Sequence, residues 1–119
     1  METKRALPAR YHVKVRLFNE EICFGKGVAD IMRLVKATGS LAAAYKSMGM
    51  SSSKAWKILH RAEADLGYKL IESTAGGKNG GESRVTEAGL ALLDAYDAFD
   101  GEVQACARQA FAKYFGEKD

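Results

Sequence analysis

The sequence predicts a mainly α fold carrying small β-hairpins, and three patterns predict it. Apolar residues recur at helical spacing in successive segments between residues 28 and 66, separated or stopped by glycine. Short alternating segments stand before and after that block. A long 4-3-4-3-4 repeat of apolar residues then closes the chain, the signature of a helix with a coiled-coil seam.

Residues 11–18, YHVKVRLF, alternate Tyr11, Val13, Val15 and Leu17 against His12, Lys14 and Arg16, the period of a half-buried strand. A turn through Asn19, Glu20 and Glu21 leads to Ile22, Cys23 and Phe24, so an N-terminal hairpin is expected over 11–24. After Gly25 and Gly27, the segment Val28 to Ala37 places Ile31, Leu34 and Val35 on one helical face and Asp30, Arg33 and Lys36 on the other. Thr38 and Gly39 end it. Ser40 is a good N-cap for a short second helix, Leu41 to Met48, whose Ala42, Ala43 and Ala44 let another helix cross closely. Gly49 supplies the turn. Ser51 caps a third helix to about Leu66, with core positions Ala55, Leu59, Ala62 and Leu66, and Gly67 stops it.

Tyr68 to Ser73 alternates as a strand, residues 75–82 form a glycine-rich loop, and Ser83 to Val85 returns, which makes a wing-like hairpin over 68–85. Thr86 and Glu87 open a final helix over 86–115. Its Leu92, Tyr96, Phe99, Val103, Cys106 and Ala110 form an a/d seam. An exposed seam of Tyr96, Phe99 and Val103 is a poor monomer surface, so a homodimer is expected. Gly101 is the weak point of this helix and marks either a kink or a close crossing. The 119 residues suit one domain, 1–119, with a helix-turn-helix at 28–66.

Several function classes are disfavoured. No apolar run approaches the roughly 18 residues of a membrane span, and the first ten residues lack the apolar core of a signal peptide. A cytoplasmic protein without a membrane partner is expected. Cys23 and Cys106 lie far apart with no CxxC, so neither a zinc site nor a disulfide is indicated, and both are expected as buried free thiols. There is no metal-ligand cluster, no nucleophile elbow and no carboxylate pair beside a histidine, and His12 and His60 are the only imidazoles. No enzyme, catalytic residue, metal or cofactor is expected. The loop at 75–82 lacks the Lys-Ser/Thr ending of a P-loop, which disfavours nucleotide binding.

The net charge of +3 hides a segregated distribution. Residues 1–61 carry 12 Lys/Arg against 4 Asp/Glu, a balance of +8, whereas residues 62–119 carry 6 against 11, a balance of −5. A basic first half suits a polyanion, because phosphate neutralisation releases counterions. Two short helices joined by a glycine turn and followed by a hairpin are the winged helix-turn-helix arrangement, which lays its second helix in a major groove of double-stranded DNA.

Removing the core positions of the third helix leaves Ser52, Ser53, Lys54, Lys57, His60 and Arg61 for its exposed side, mostly donors suited to phosphates and guanine edges. Ser52, Ser53 and Lys57 are assigned to the groove, and Lys54 and Arg61 to flanking phosphates. Ser51 adds a phosphate contact from the helix N-terminus. On the wing, Lys78 supplies charge at the tip and Arg84 anchors the base. His60 is expected to be solvated. Trp56 adjoins the apolar stripe, so core packing is expected over stacking on a sugar or base. The alternative function is a winged-helix protein-interaction module, against which the exposed donors argue.

The chain resembles the DNA-binding domains of LysR-type regulators in Thr38-Gly39-Ser40, the Ser51-x-Ser53 helix start, Ala62-Glu63-x-x-Leu66-Gly67, Lys69-Leu70 and Val85-Thr86-Glu87-Ala88-Gly89, across roughly residues 28–93. It is still more similar to the N-terminal domains of ModE-type molybdate-responsive regulators, through Ser53-Lys54-Ala55-Trp56, the Gly76-Gly77-Lys78-x-Gly80-Gly81 wing and the hairpin before the first helix. That resemblance implies a dimeric winged-helix binder of operator DNA with a dimer helix after the wing. In that family the molybdate-binding domains follow the dimer helix. The sequence stops at Asp119, just beyond its own, so these domains are expected to be absent and oxyanion sensing is not carried over, which leaves a short regulator, a protein paired with a separate sensor, or a DNA-binding protein with no effector.

Overall fold

The computed structural model describes residues 6–74 and 82–116. Four helices and one hairpin follow in the order α1 (Lys26–Thr38), α2 (Leu41–Ser47), α3 (Ser52–Leu66), β1 (Ile71–Ser73), β2 (Ser83–Val85) and α4 (Glu87–Phe115). The predicted helices are all present. The first starts two residues earlier than its apolar pattern, and pairing in the wing begins at Ile71 rather than Tyr68.

Serine and threonine caps punctuate the chain as the sequence requires. Ser40 Oγ accepts the Ala43 N–H at 3.0 Å, and Ser51 Oγ accepts the Lys54 N–H at 3.1 Å. Each satisfies a donor that the first turn of a helix leaves without an intrahelical partner. Between α2 and α3 the chain turns at Gly49 with φ +66°, a left-handed conformation that costs glycine little and other residues more.

The core lies where α1, α2, α3, the wing base and the start of α4 meet. Phe24, Ile31, Met32, Val35 and Leu70 are its largest fully buried side chains, each contributing about 1.5–3 kcal/mol of apolar burial. Ala44, Ala55 and Ala62 are buried as the small residues of the crossing helices. Leu66, expected in the core, is half-buried at its margin.

Two carboxylates of α3 tie it to its neighbours. Buried Glu63 accepts the N–H groups of Leu70 at 2.7 Å and Ile71 at 3.2 Å, which fixes how the chain leaves α3 for β1. Asp65 accepts the N–H groups of Asn19, Glu20 and Glu21 at 2.7, 2.9 and 2.9 Å. These donors hold its carboxyl below the usual carboxylate range.

The wing is an antiparallel pair with Ile71 opposite Val85, Glu72 opposite Arg84 and Ser73 opposite Ser83. Its base is fastened by the Ser83 N–H to the Gly39 carbonyl at 2.9 Å. Thr86 joins wing to α4: its Oγ1 accepts the Gly89 N–H at 2.9 Å and donates to the Lys69 carbonyl at 2.7 Å. A Cβ on Gly89 would stand 2.7 Å from the Leu70 carbonyl oxygen, so glycine alone lets α4 start this close to the wing.

The hairpin expected over 11–24 is reduced to one bridge, Leu17 with Phe24. Val13, Val15 and Leu17 are half-buried and His12, Lys14 and Arg16 exposed, as their alternation predicts. Their partner is a helix instead of a second strand. The segment runs antiparallel along α4, with the Val15 carbonyl accepting Tyr96 Oη at 3.3 Å, the Val13 carbonyl accepting Gln104 Nε2 at 2.8 Å, and the Tyr11 ring 4.8 Å from Phe111. These contacts satisfy backbone groups that a hairpin ladder would have paired.

Helix α4 carries the molecule to an elongated 74 × 27 × 24 Å. Tyr96, expected in the exposed seam, is buried and stands edge-on to Phe24 at 5.2 Å, so it belongs to this chain's own core. Phe99, Cys106 and Ala110 are exposed and Val103 half-buried. Among the described residues, nothing stands within 4 Å of the position of a Cβ on Gly101. The expectation of two buried thiols is also corrected: Cys106 is exposed, and Cys23 is half-buried with Sγ 3.5 Å from Asp65 Oδ2.

Candidate nucleic-acid interface

The sequence-predicted site residues fall into three places. Ser51, Ser52, Ser53, Lys54 and Lys57 are exposed together on the first half of α3. That first turn contains no acidic residue, so its free N–H groups and the positive end of the helix face solvent unopposed. Ser51 spends an oxygen lone pair on its cap and keeps its hydroxyl proton to donate. Lys54 and Lys57 form no salt bridge among the described residues, which leaves both ammonium groups available to an anion.

Arg61 lies further along α3, on the flank beside the N-terminal turn, and its Nε donates to Glu21 Oε1 at 2.7 Å. Both partners are more than half exposed, so this pair is weak and the remaining guanidinium donors stay accessible. A cleft of about 800 Å³ opens on that flank between residues 12–16, α1, α3 and α4, with Lys14, Arg16, Lys26 and Arg61 among its lining.

Arg84 is on the exposed face of β2, opposite Glu72 and 3.6 Å from its carboxylate. Lys78 and the glycine-rich tip, residues 75–81, lie outside the described residues.

Trp56 overturns its expected place in the core. It is 57% exposed, and its indole stacks on the imidazole of His60, with ring centroids 4.1 Å apart. His60 is accordingly half-buried against Trp56 and not freely solvated. Spacing alone leaves its side open: Trp56 stands about 100° round the helix from buried Ala55 but only about 60° from buried Leu59, at the edge of the apolar stripe.

Among the described residues there is no group of three or more His, Cys, Asp or Glu side chains placed to hold a metal ion. None of the described helices is long and apolar enough to cross a membrane.

A helix-turn-helix followed by a two-stranded wing and a long helix, with donors exposed on its second helix, is the winged helix-turn-helix architecture. Its fold matches CbnR, a LysR family transcriptional regulator, with a TM-score of 0.55 and 24% identity over 72% of this chain and 28% of that one. In sequence it is similar to the molybdenum-pterin-binding protein MopA of Rhodobacter capsulatus, 35% identical over 75 residues, which are 60% of this chain and 28% of MopA. It is also similar to the molybdenum transport protein ModE of Herbaspirillum seropedicae, 36% identical over 63 residues, 53% of this chain and 23% of ModE. The resemblance to ModE-type proteins read from the sequence therefore holds. The matched segments span little more than a quarter of these relatives' length at most. No protein-family model matches the chain.

Proposed function

We propose that the chain is a sequence-specific DNA-binding transcriptional regulator that acts as a homodimer, with α3 in the major groove and the wing beside it. The observation that supports this reading most is the exposed, acid-free first half of α3, where Ser52, Ser53, Lys54 and Lys57 stand together on a helix anchored by its opposite face. Side-chain donors on the N-terminal turns of such a helix meet base edges, and flanking cations meet phosphates. The similarity to ModE and the fold shared with a LysR family regulator point the same way.

Ser52, Ser53 and Lys57 read bases, Lys54 and Arg61 hold phosphates, Ser51 presents the helix N-terminus to the backbone, and Arg84 with Lys78 serves the wing. Dimerisation uses the stretch of α4 beyond the core, where Phe99, Cys106 and Ala110 are exposed. Two α3 helices then meet successive major grooves about 34 Å apart, and the target is a pseudo-palindrome.

Fluorescence anisotropy with a labelled nonspecific duplex at low and raised salt tests the reading. A steep fall in affinity with salt is expected, because each neutralised phosphate releases counterions. No binding at low salt would overturn it.

A further inference from the structure

The outward stripe of α3 contains one large apolar side chain among its donors. Trp56, the single tryptophan of the chain, stands one turn on from Ser53 at the edge of that stripe and is 57% exposed. An indole left in water forgoes one of the largest apolar burials any side chain offers, and this one stands beside the exposed donors of α3, where a partner of those donors would also meet it.

The ring is also held. The imidazole of His60 lies against the indole with planes inclined by 23°, and His60 Nδ1 is 2.9 Å from the Trp56 carbonyl oxygen. On the other side of that imidazole, Nε2 stands 4.0 Å from Glu63 Oε1, and Glu63 is itself fixed by the wing backbone. With His60 against it, Trp56 is still more than half exposed, within the first two turns of the helix. A side chain already stacked on a neighbour has less conformational freedom to lose on contact.

We infer that Trp56 is a specificity-determining contact of α3 that receives the C5-methyl group of a thymine in the major groove. This rests on the DNA-binding reading above. The serines and lysines beside it recognise acceptors on guanine, adenine and phosphate. The thymine methyl is the feature of the major-groove edge that calls for apolar contact. The stripe thus holds both kinds of reader, with the apolar one locked in orientation by His60.

The test uses a duplex selected by the wild-type chain from a random pool, with each thymine then replaced in turn by uracil to remove only the methyl. For the wild type, at least one replacement should weaken binding about fourfold, the worth of one methyl-sized group returned to water. Trp56→Ala should weaken binding to the parent duplex and abolish the penalty at that position, leaving other thymines unaffected. Trp56 emission, which requires no variant, should change as the parent duplex binds.

Equal uracil penalties in wild type and Trp56→Ala, no penalty at any thymine, or unchanged emission at saturation would each overturn the inference while leaving DNA binding intact. Failure to select any duplex would instead overturn the DNA-binding reading, and this inference with it.

Discussion

Glu63 in α3 holds the backbone N–H of Leu70 at 2.7 Å, so one buried carboxylate couples the proposed recognition helix to the wing. The same side chain takes the Ile71 N–H and lies beside His60. The exit of the chain from α3 into β1 is therefore tied to the pose of α3.

Truncating Glu63 to alanine should destabilise the fold by about 2–4 kcal/mol, because two buried N–H donors lose a charged acceptor. Glu63→Gln keeps one acceptor oxygen and should recover part of the loss. Urea denaturation followed by circular dichroism measures both, and an unchanged midpoint in Glu63→Ala would remove the proposed coupling.

Asp65 gives the stability a specific acid dependence. Its folded-state pKa lies below the ordinary value of 3.8, mainly because the Asn19 and Glu20 N–H groups, joined by that of Glu21, stabilise the carboxylate. Its contribution is present in full above 3.8 and is lost as pH falls through the lower folded value. Asp65→Asn should flatten the acid limb of a stability-against-pH curve, and an identical limb would count against this role.

The two glycines of α4 should respond oppositely to alanine. Gly89→Ala drives a methyl into the Leu70 carbonyl and Val85, at a cost on the order of 1–3 kcal/mol that outweighs its gain in helix propensity. Gly101→Ala meets open space in the single chain and should stabilise it by about 0.5–1 kcal/mol. Thermal melts of the two variants decide this, and destabilisation by Gly101→Ala would place a close neighbour at that position.

Light scattering at micromolar concentration should report a dimer for the wild type. Phe99→Glu should shift the mass towards the monomer with little loss of helix, since Phe99 is 52% exposed in the single chain. A monomeric wild type would refute the α4 interface.

Lys57 and Lys54 should separate by role. Lys57→Ala should cost about 1–3 kcal/mol on a cognate duplex and relax base preference. Lys54→Ala should weaken cognate and scrambled duplexes alike and lower the salt slope by about 1. Paired anisotropy titrations compare them.

The elements were legible because their punctuation is chemical: Ser40, Ser51 and Thr86 cap, and Gly39, Gly49 and Gly67 turn. What periodicity could not supply was the partner of each face. The alternation of Val13, Val15 and Leu17 correctly marked an inward side, yet the same pattern serves a strand beside a strand or a strap along a helix, and Gln104 and Tyr96 made it the latter. Tyr96 fitted the heptad spacing equally well as a seam residue or a core residue, and the long-range contact with Phe24 chose the core. The exposed donors of α3 followed from subtracting its apolar stripe. Trp56 did not, because it stands at the edge of that stripe, where the spacing suits either side and the stack on His60 decided it.

Selection of bound sequences from a random duplex pool, with footprinting of the winners, tests the central claim most directly. Enrichment of a pseudo-palindrome with half-sites about one helical turn apart, weakened by Lys57→Ala, is the predicted result. A pool that remains random after repeated selection, or retention that does not depend on Lys57 and its neighbours on α3, would contradict it.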